Sequence, residues 1–363
     1  MTAAPSVHMA RALRLAERGR ATTHPNPRVG CVIVRDGVVV GEGAHLRAGE
    51  PHAEVQALRQ AGDRARGADL FVTLEPCAHH GRTPPCADAL IAAGVSRVWV
   101  AMQDPFPQVA GRGVARLREA GIAVEVGLMQ AEAQRLNRGF VSRLTRGRPF
   151  VTLKLGASLD GRIAMASGES RWITGAAARA DVHRLRAENG AVLTGVGTVL
   201  ADDPQLTARD VSGAVRQPDR IVLDTQARVS PQARVWSAGA RRFWVVGREP
   251  SQVPEGAEVV RVATGNDGTL ALAEVLARLV AHDVNDVLLE CGPKLSGAFL
   301  QQQLVDELVL YVAPTLLGHE AQPLAQLPGL TQLSQRLQLQ WLDLRQIGSD
   351  LKLTARPVTV AQD

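Results

Sequence analysis

The stretch RVGCVIVRDGVVVGEGAH, residues 28–45, alternates apolar with small or polar side chains on either side of Asp36-Gly37. An Asp-Gly pair supplies the two left-handed residues of a type I′ turn, so two antiparallel strands are expected here. After it the period changes. PHAEVQALRQ (51–60) reads as a helix with Pro51 in its first turn. ADLFVTLEP (68–76) and VSRVWVAM (95–102) read as buried strands, with a short helix, CADALIAAG (86–94), between them. RGVARLREAG (112–121) is a helix closed by Gly121, IAVEV (122–126) a strand and AEAQRLNRGFVSRL (131–144) a last helix. The residues before Gly19 also read as a helix. Strands alternating with helices in this way build a sheet covered on both faces, an α/β sandwich.

The alternation restarts after TRGRP (145–149), a polar stretch with Gly and Pro. A domain boundary is expected there, giving domains 1–146 and 149–363. The second half reads as a strand (150–161), a helix (175–189) and a strand, AVLTGVGTVL (191–200), followed by the loop ADDPQLTARD (201–210). Further strands are expected at 220–225, 242–247, 286–292 and 307–318, with a helix over 271–282 and a closing hairpin. This is a second α/β domain. No internal repeat or low-complexity tract interrupts either half.

A length of 363 residues suits two domains of ordinary size. Aromatics are 3% of the chain, so the cores must be built from Leu, Val, Ile and Ala. The formal charge of +5 would suit a phosphorylated substrate or nucleic acid. The basic residues form no block and no tail, so nucleic-acid binding is not expected. Four cysteines are too few for a disulfide framework in a chain this long. No apolar run is long enough to span a bilayer, so no membrane contact is expected. MTAAPSVHMARALRLAERGR lacks the apolar core of a signal peptide, and the cytoplasm is the expected compartment.

PHAEV (51–55) and EPCAHHGRTPPC (75–86) contain zinc-ligand chemistry: His52, Cys77 and Cys86, with eight residues between the cysteines. Cys86 begins one expected helix, where backbone N–H groups favour a thiolate, and His52 begins another. Two facing helix starts would bring the three together. A structural zinc would need a fourth ligand, His79 or His80, whereas a catalytic zinc keeps that place for water. Glu54 favours the second reading, since a carboxylate two residues past His52 can relay a proton from water to a leaving group. The order His-x-Glu…Pro-Cys…Cys is that of zinc nucleobase deaminases, with wider cysteine spacing. Incidental surface residues are the bland alternative.

The second half has no G-x-G-x-x-G after its first strand, so a Rossmann fingerprint is absent. ECGPKLSGAFL (290–300) turns from strand to helix through glycine and presents N–H groups to an anion. Taken alone, such a passage is usually just a turn. TGVGTVLADDPQLTAR (194–209) is a second one of the kind.

As a set, THPNPRVGCVIV, GAH, PHAEVQAL and TLEPCAHHGRTPPC resemble the deaminase half of the bifunctional riboflavin-biosynthesis deaminase–reductases, where the wide cysteine spacing is normal. KLGASLDGRIA and SGESRWITG, with the two glycine-bearing passages, resemble the reductase half from about Phe150 to about Gly318. The last forty or so residues are less distinctive. The resemblance implies a cytidine-deaminase-like sandwich joined to a dihydrofolate-reductase-like α/β domain that uses NADPH. It implies deamination of 2,5-diamino-6-(5-phosphoribosylamino)pyrimidin-4-one and then reduction of its ribosyl chain. The product would be 5-amino-6-(5-phosphoribitylamino)uracil.

By the same resemblance His52, Cys77 and Cys86 hold Zn2+, Glu54 shuttles the proton, and Asn26 and His45 lie near the substrate. His79 and His80 become pocket residues. Gly156, Trp172, Thr198 and Asp202 match nicotinamide-cofactor contacts, although Trp172 would also suit a core. The run Gly292, Pro293, Lys294, Leu295, Ser296, Gly297 and Ala298 matches a phosphate cradle. Ser170, Arg186, Leu206, Arg209 and Glu290 match substrate contacts, the two arginines being suited to the 5′-phosphate. Lys154 and Asp202 are the candidates for proton handling. A homo-oligomer is expected. The competing readings are an RNA or nucleoside zinc deaminase with an appended binding domain, and a non-catalytic zinc-stabilised module.

Overall fold

The structure, a computed structural model, describes residues 4–78, 85–107, 109–213 and 215–358. It divides into two compact units, Met1–Gly147 and Arg148–Asp363.

The first unit is a five-stranded sheet in the order β2-β1-β3-β4-β5. Helix α1 (Pro5–Glu17) leads into β1 (Gly30–Arg35) and β2 (Val38–Ala44), an antiparallel pair. Asp36 and Gly37 both have positive φ, 51° and 78°, as the hairpin reading requires. Next come α2 (Ala53–Ala61), β3 (Asp69–Val72), α3 (Cys86–Ala93), β4 (Arg97–Val100), α4 (Arg112–Glu119) and β5 (Ala123–Val126). β3 is antiparallel to β1, while β3, β4 and β5 run parallel. Two glycines set the height of α2 over the sheet. A Cβ at Gly41 would stand 2.2 Å from the Ala57 carbonyl oxygen, and one at Gly43 2.0 Å from that of Ala53. Helix backbone therefore rests on strand backbone, and this fixes the residues at the start of α2.

Two local expectations are corrected here. Pro51 is not in the first turn of α2, because His52 is its N-cap and Pro51 precedes the cap. The last expected helix is two, α5 (Gln130–Leu136) and α6 (Arg138–Arg146). Buried Asn137 stands between them. Its side-chain oxygen accepts the Arg28 N–H at 2.7 Å and its amide donates to the Arg28 carbonyl at 3.0 Å. That tertiary anchor bends the path, which no local pattern encodes.

The second unit is built on a nine-stranded sheet, order β11-β10-β9-β8-β12-β6-β13-β16-β15. Its elements are β6 (Phe150–Ser158), β7 (Arg162–Ala164), α7 (Ala176–Glu188), β8 (Ala191–Gly195), α8 (Val196–Asp202), β9 (Asp219–Leu223) and β10 (Arg242–Val246). They continue with β11 (Ala257–Arg261), α9 (Leu272–Val280), β12 (Asp286–Leu289), α10 (Pro293–Gln301), β13 (Glu307–Ala313), β14 (Gln322–Pro323), β15 (Leu339–Ile347) and β16 (Asp350–Pro357). Strands β6 and β8 to β13 are parallel to their neighbours, and the β15–β16 hairpin adds on antiparallel. β7 and β14 pair separately.

The expected strand 191–200 is wrong in its second half. Gly195 caps α8, and of that helix only Val199 is fully buried. Its Val and Leu content had read as strand, but only one helix face meets the core. The aliphatic interior expected from the low aromatic content is present around Leu153, Leu193 and Val287, all fully buried. Each such side chain stabilises by about 1.5–3 kcal/mol.

Candidate active sites

In the first unit two helix starts face the same point. His52 caps α2 and Cys86 is the first residue of α3. Cys77 lies on the chain that leaves β3. The ligand atoms of His52, Cys77 and Cys86 all lie within 4.8 Å of one another. His52 Nδ1 is 3.3 Å from Cys86 Sγ and 3.7 Å from Cys77 Sγ. A tetrahedral zinc with bonds of 2.0–2.3 Å requires ligand atoms roughly 3.5–3.8 Å apart, so the donor set fits in both type and spacing. His79 and His80 lie outside the described residues.

The electrostatics agree with a ligand set. A hydrogen bond from the Cys86 thiol, helped by His52 and the Cys86 N–H at 3.3 Å, lowers Cys77 to about 4. Cys77 and burial push the Cys86 thiol up in turn, so the pair holds one proton. Cys77 also raises His52. Glu54, in the first turn of α2, is 3% exposed, and burial raises its carboxyl to about 7 against the charge of His52. A carboxyl poised there can both take and give a proton near neutral pH.

His52, Glu54 and Cys77 line a cavity of about 290 Å³ together with Asn26 and His45. His45 Nδ1 donates to the Pro51 carbonyl at 3.4 Å, since that oxygen can only accept. Its Nε2 then accepts from the Asn26 amide at 3.0 Å. Burial lowers the His45 pKa, keeping the ring neutral. Further wall residues that no sequence motif singled out include Glu75, Asp104, Phe106 and Val109, and, from α6, Phe140, Arg143 and Leu144. The one available signal was Glu75, a carboxylate at the end of a buried strand.

In the second unit Glu290 follows the end of the parallel strand β12, the edge at which open α/β sheets bind ligands. Arg186 grips Glu290, with Nε and Nη2 donating at 2.5 and 2.9 Å. Lys154 Nζ lies 3.9 Å from Glu290. Burial alone would raise the Glu290 carboxyl, but Arg186 and Lys154 overcome it and hold it at about 2. Burial lowers Lys154, against the pull of Glu290. The Lys154 amine stands beside Gly156, 4.0 Å from where a Cβ would be.

A stability prediction follows from Glu290. Its folded-state pKa of about 2 lies below the ordinary 4.5, so the stability it contributes is complete above 4.5 and lost as pH falls through 2. The shift corresponds to roughly 3 kcal/mol. Urea midpoints between pH 5 and 2, read from the buried Trp236–Trp244 pair, should fall less steeply in Glu290→Gln than in the parent.

The other expected residues divide. Trp172 is not core: it is 70% exposed, with the Arg179 guanidinium 4.5 Å above its ring. Thr198 and Asp202 lie on α8, and Asp202 pairs with Arg171 at 3.5 Å. Ser170 is half-buried. Leu206 is buried with positive φ, 53°, and its side chain belongs to a core cluster, which leaves only its backbone to face a ligand. Arg209 is exposed and binds Thr207 Oγ1 at 2.9 Å. The residues of the run 292–298 differ in placement. Gly292 caps α10 and Pro293, Lys294 and Leu295 form its first turn, but Ser296 and Gly297 are buried, with the serine hydroxyl donating to the Leu324 carbonyl at 2.9 Å. Ala298 packs against the core.

Known proteins match both units. The family model for the RibD C-terminal domain matches residues 149–353, and that for the cytidine and deoxycytidylate deaminase zinc-binding region matches 4–102. The chain is 54% identical to riboflavin biosynthesis protein RibD of Escherichia coli, over 95% of this chain and 97% of that protein. It is 48% identical to the Haemophilus influenzae protein, over 97% of each. Acinetobacter baumannii RibD superposes with a TM-score of 0.92 at 45% identity, covering 98% of this chain and 99% of the other. A Thermotoga maritima diaminohydroxyphosphoribosylaminopyrimidine deaminase/5-amino-6-(5-phosphoribosylamino)uracil reductase superposes at 0.87 with 36% identity, covering 97% and 98%. These full-length matches leave the alternative of a nucleic-acid deaminase with a binding domain unsupported. The chain belongs to the RibD family, the bifunctional deaminase–reductases of riboflavin biosynthesis.

Proposed function

We propose that the first domain, 1–146, deaminates 2,5-diamino-6-(5-phosphoribosylamino)pyrimidin-4-one and that the second, 149–363, reduces the ribosyl chain of the product. The observation that carries this reading is the placement of Glu54 in one cavity with His52 and Cys77, whose ligand atoms meet that of Cys86. Zinc held by those three residues would lower the pKa of a water towards ~7. Glu54 takes the water's proton as the oxygen adds to the amine-bearing ring carbon, and returns it to the departing ammonia. Asn26 holds the ring by hydrogen bonds, and neutral His45 orients its amide.

In the second domain bound NADPH would supply hydride for reduction of the sugar's first carbon in its ring-opened imine form. The first turn of α10 offers N–H groups to the cofactor phosphates. Gly156, Thr198 and the exposed Trp172 would hold the nicotinamide. Arg209, the more exposed arginine, takes the substrate 5′-phosphate, while the Arg186–Glu290 pair and Ser170 hold its polar groups. Lys154 supplies the proton. Supplying the diaminopyrimidine with and without NADPH tests the whole reading. Ammonia alone is expected without NADPH, and ammonia plus NADPH consumption with it; no ammonia in either case would overturn it.

The chain acts in the cytoplasm in this reading, and no helix of the described residues is long and apolar enough to cross a membrane. It forms a homo-oligomer through β15. That edge strand leaves Trp341 61% and Leu344 63% exposed, an apolar edge that soluble sheets normally cover. Replacing Trp341 and Leu344 together by Asp should convert the oligomer to monomer in sedimentation. An unchanged mass would place the interface elsewhere.

A further inference from the structure

Glu75 touches no candidate ligand atom, yet it is 3% exposed and both its carboxylate oxygens are in use. Oε2 accepts the backbone N–H of Asp104 at 3.1 Å and of Gly111 at 3.0 Å. Oε1 accepts those of Gly113 at 2.9 Å and Val114 at 3.1 Å. One oxygen therefore ties the two ends of the loop 104–111 together, and the other holds the first turn of α4. The residue's own N–H donates to the Met102 carbonyl at 3.0 Å, which fixes Glu75 to the strand beside it. A second contact acts at the same place. A Cβ at Gly113 would stand 1.9 Å from the Pro76 oxygen, so the start of α4 lies against the peptide that precedes Cys77.

That loop contributes Asp104, Phe106 and Val109 to the cavity wall. Burying a carboxylate is costly unless its lone pairs are filled, and here four N–H donors fill them. We propose that Glu75 is a positioning residue for deamination: its carboxylate clamps the 104–111 loop at its neck and so sets the wall against which the substrate ring is held. This rests on the deaminase reading of the cavity. Glutamine at 75 can accept on one oxygen only, and its NH2 group would meet N–H donors. The wall would loosen while the side chain kept its size.

The test is steady-state deamination by Glu75→Gln, Phe106→Ala and the double variant, with zinc content and NADPH-dependent reduction measured on the same preparations. Glu75→Gln is expected to raise KM by about tenfold or more with a smaller change in kcat, since a wall displaced by about an ångström misplaces the substrate. Zinc should stay at the wild-type level and reduction should be unchanged. Because both residues act through one wall, the double variant should have a KM close to that of the worse single variant. An unchanged KM in Glu75→Gln, multiplicative effects in the double variant, or loss of zinc accompanying the loss of activity would each overturn the proposal. If Glu75→Gln does not yield folded protein, Glu75→Asp keeps the charge with a shorter reach. A raised KM with retained zinc then supports the clamp, and an unchanged KM refutes it. Absence of deamination by the wild-type chain would refute the deaminase reading itself, a result distinct from any of these.

Discussion

Glu54→Gln is expected to lower ammonia release by about 10²–10⁴-fold, the range for losing a positioned general acid–base, while zinc stays bound at the wild-type level. The substitution is nearly isosteric in a site where the carboxyl is 3% exposed, so packing should be preserved. The proposed zinc donors are His52, Cys77 and Cys86, and none is altered. What is lost is the proton. Burial brings the Glu54 carboxyl to about 7, so the same group can act as base and then as acid at neutral pH. An amide can do neither. Removing a buried acid should not destabilise the domain, which separates this result from a folding defect. NADPH-dependent reduction of supplied deaminated substrate should be untouched. The non-catalytic zinc-module reading requires the opposite result, that is, no turnover in either protein. Full activity in Glu54→Gln would remove Glu54 from the chemistry.

The zinc site was legible because its chemistry is local in type. Cysteine and histidine are the commonest zinc ligands, a carboxylate near them can move the proton, and helix starts are written in short patterns. The cavity wall was not legible. Phe106 and Val109 lie in an irregular loop, and what holds that loop is a glutamate nearly thirty residues earlier through backbone N–H groups, which carry no side-chain signature. Asn137 shows the same limit: its partner is the backbone of Arg28, 109 residues earlier in the chain. In the second domain the motif Gly292–Ala298 was recognisable as a stretch but not in its use. A helix turns half its residues inward, and the 3.6 period alone does not say that Ser296 and Gly297 meet the 324–326 segment.

The two candidates for reductase proton handling are separated by their surroundings, and this fixes the second large effect. Lys154→Met is expected to reduce NADPH oxidation by about 10²-fold or more, with deamination intact. Asp202→Asn should cost far less. The Asp202 side chain is 41% exposed and pairs with Arg171, so water can replace it. Lys154 stands in the middle of β6 near Gly156, its amine 3.9 Å from Glu290. Arg186 still grips Glu290 when Lys154 is gone, so the variant should fold. Burial lowers the Lys154 pKa, and this gives the reaction a signature. An acid with a lowered pKa is protonated only at lower pH, so reduction in the parent should decline with rising pH below the ordinary lysine range. That alkaline limb should be absent from the residual rate of Lys154→Met. Lys154→Arg discriminates charge from proton supply, because a guanidinium keeps the positive charge but does not give up its proton. Failure of arginine to restore the rate is the expected outcome. Restoration by arginine would mean that Lys154 acts only as a fixed charge beside Glu290.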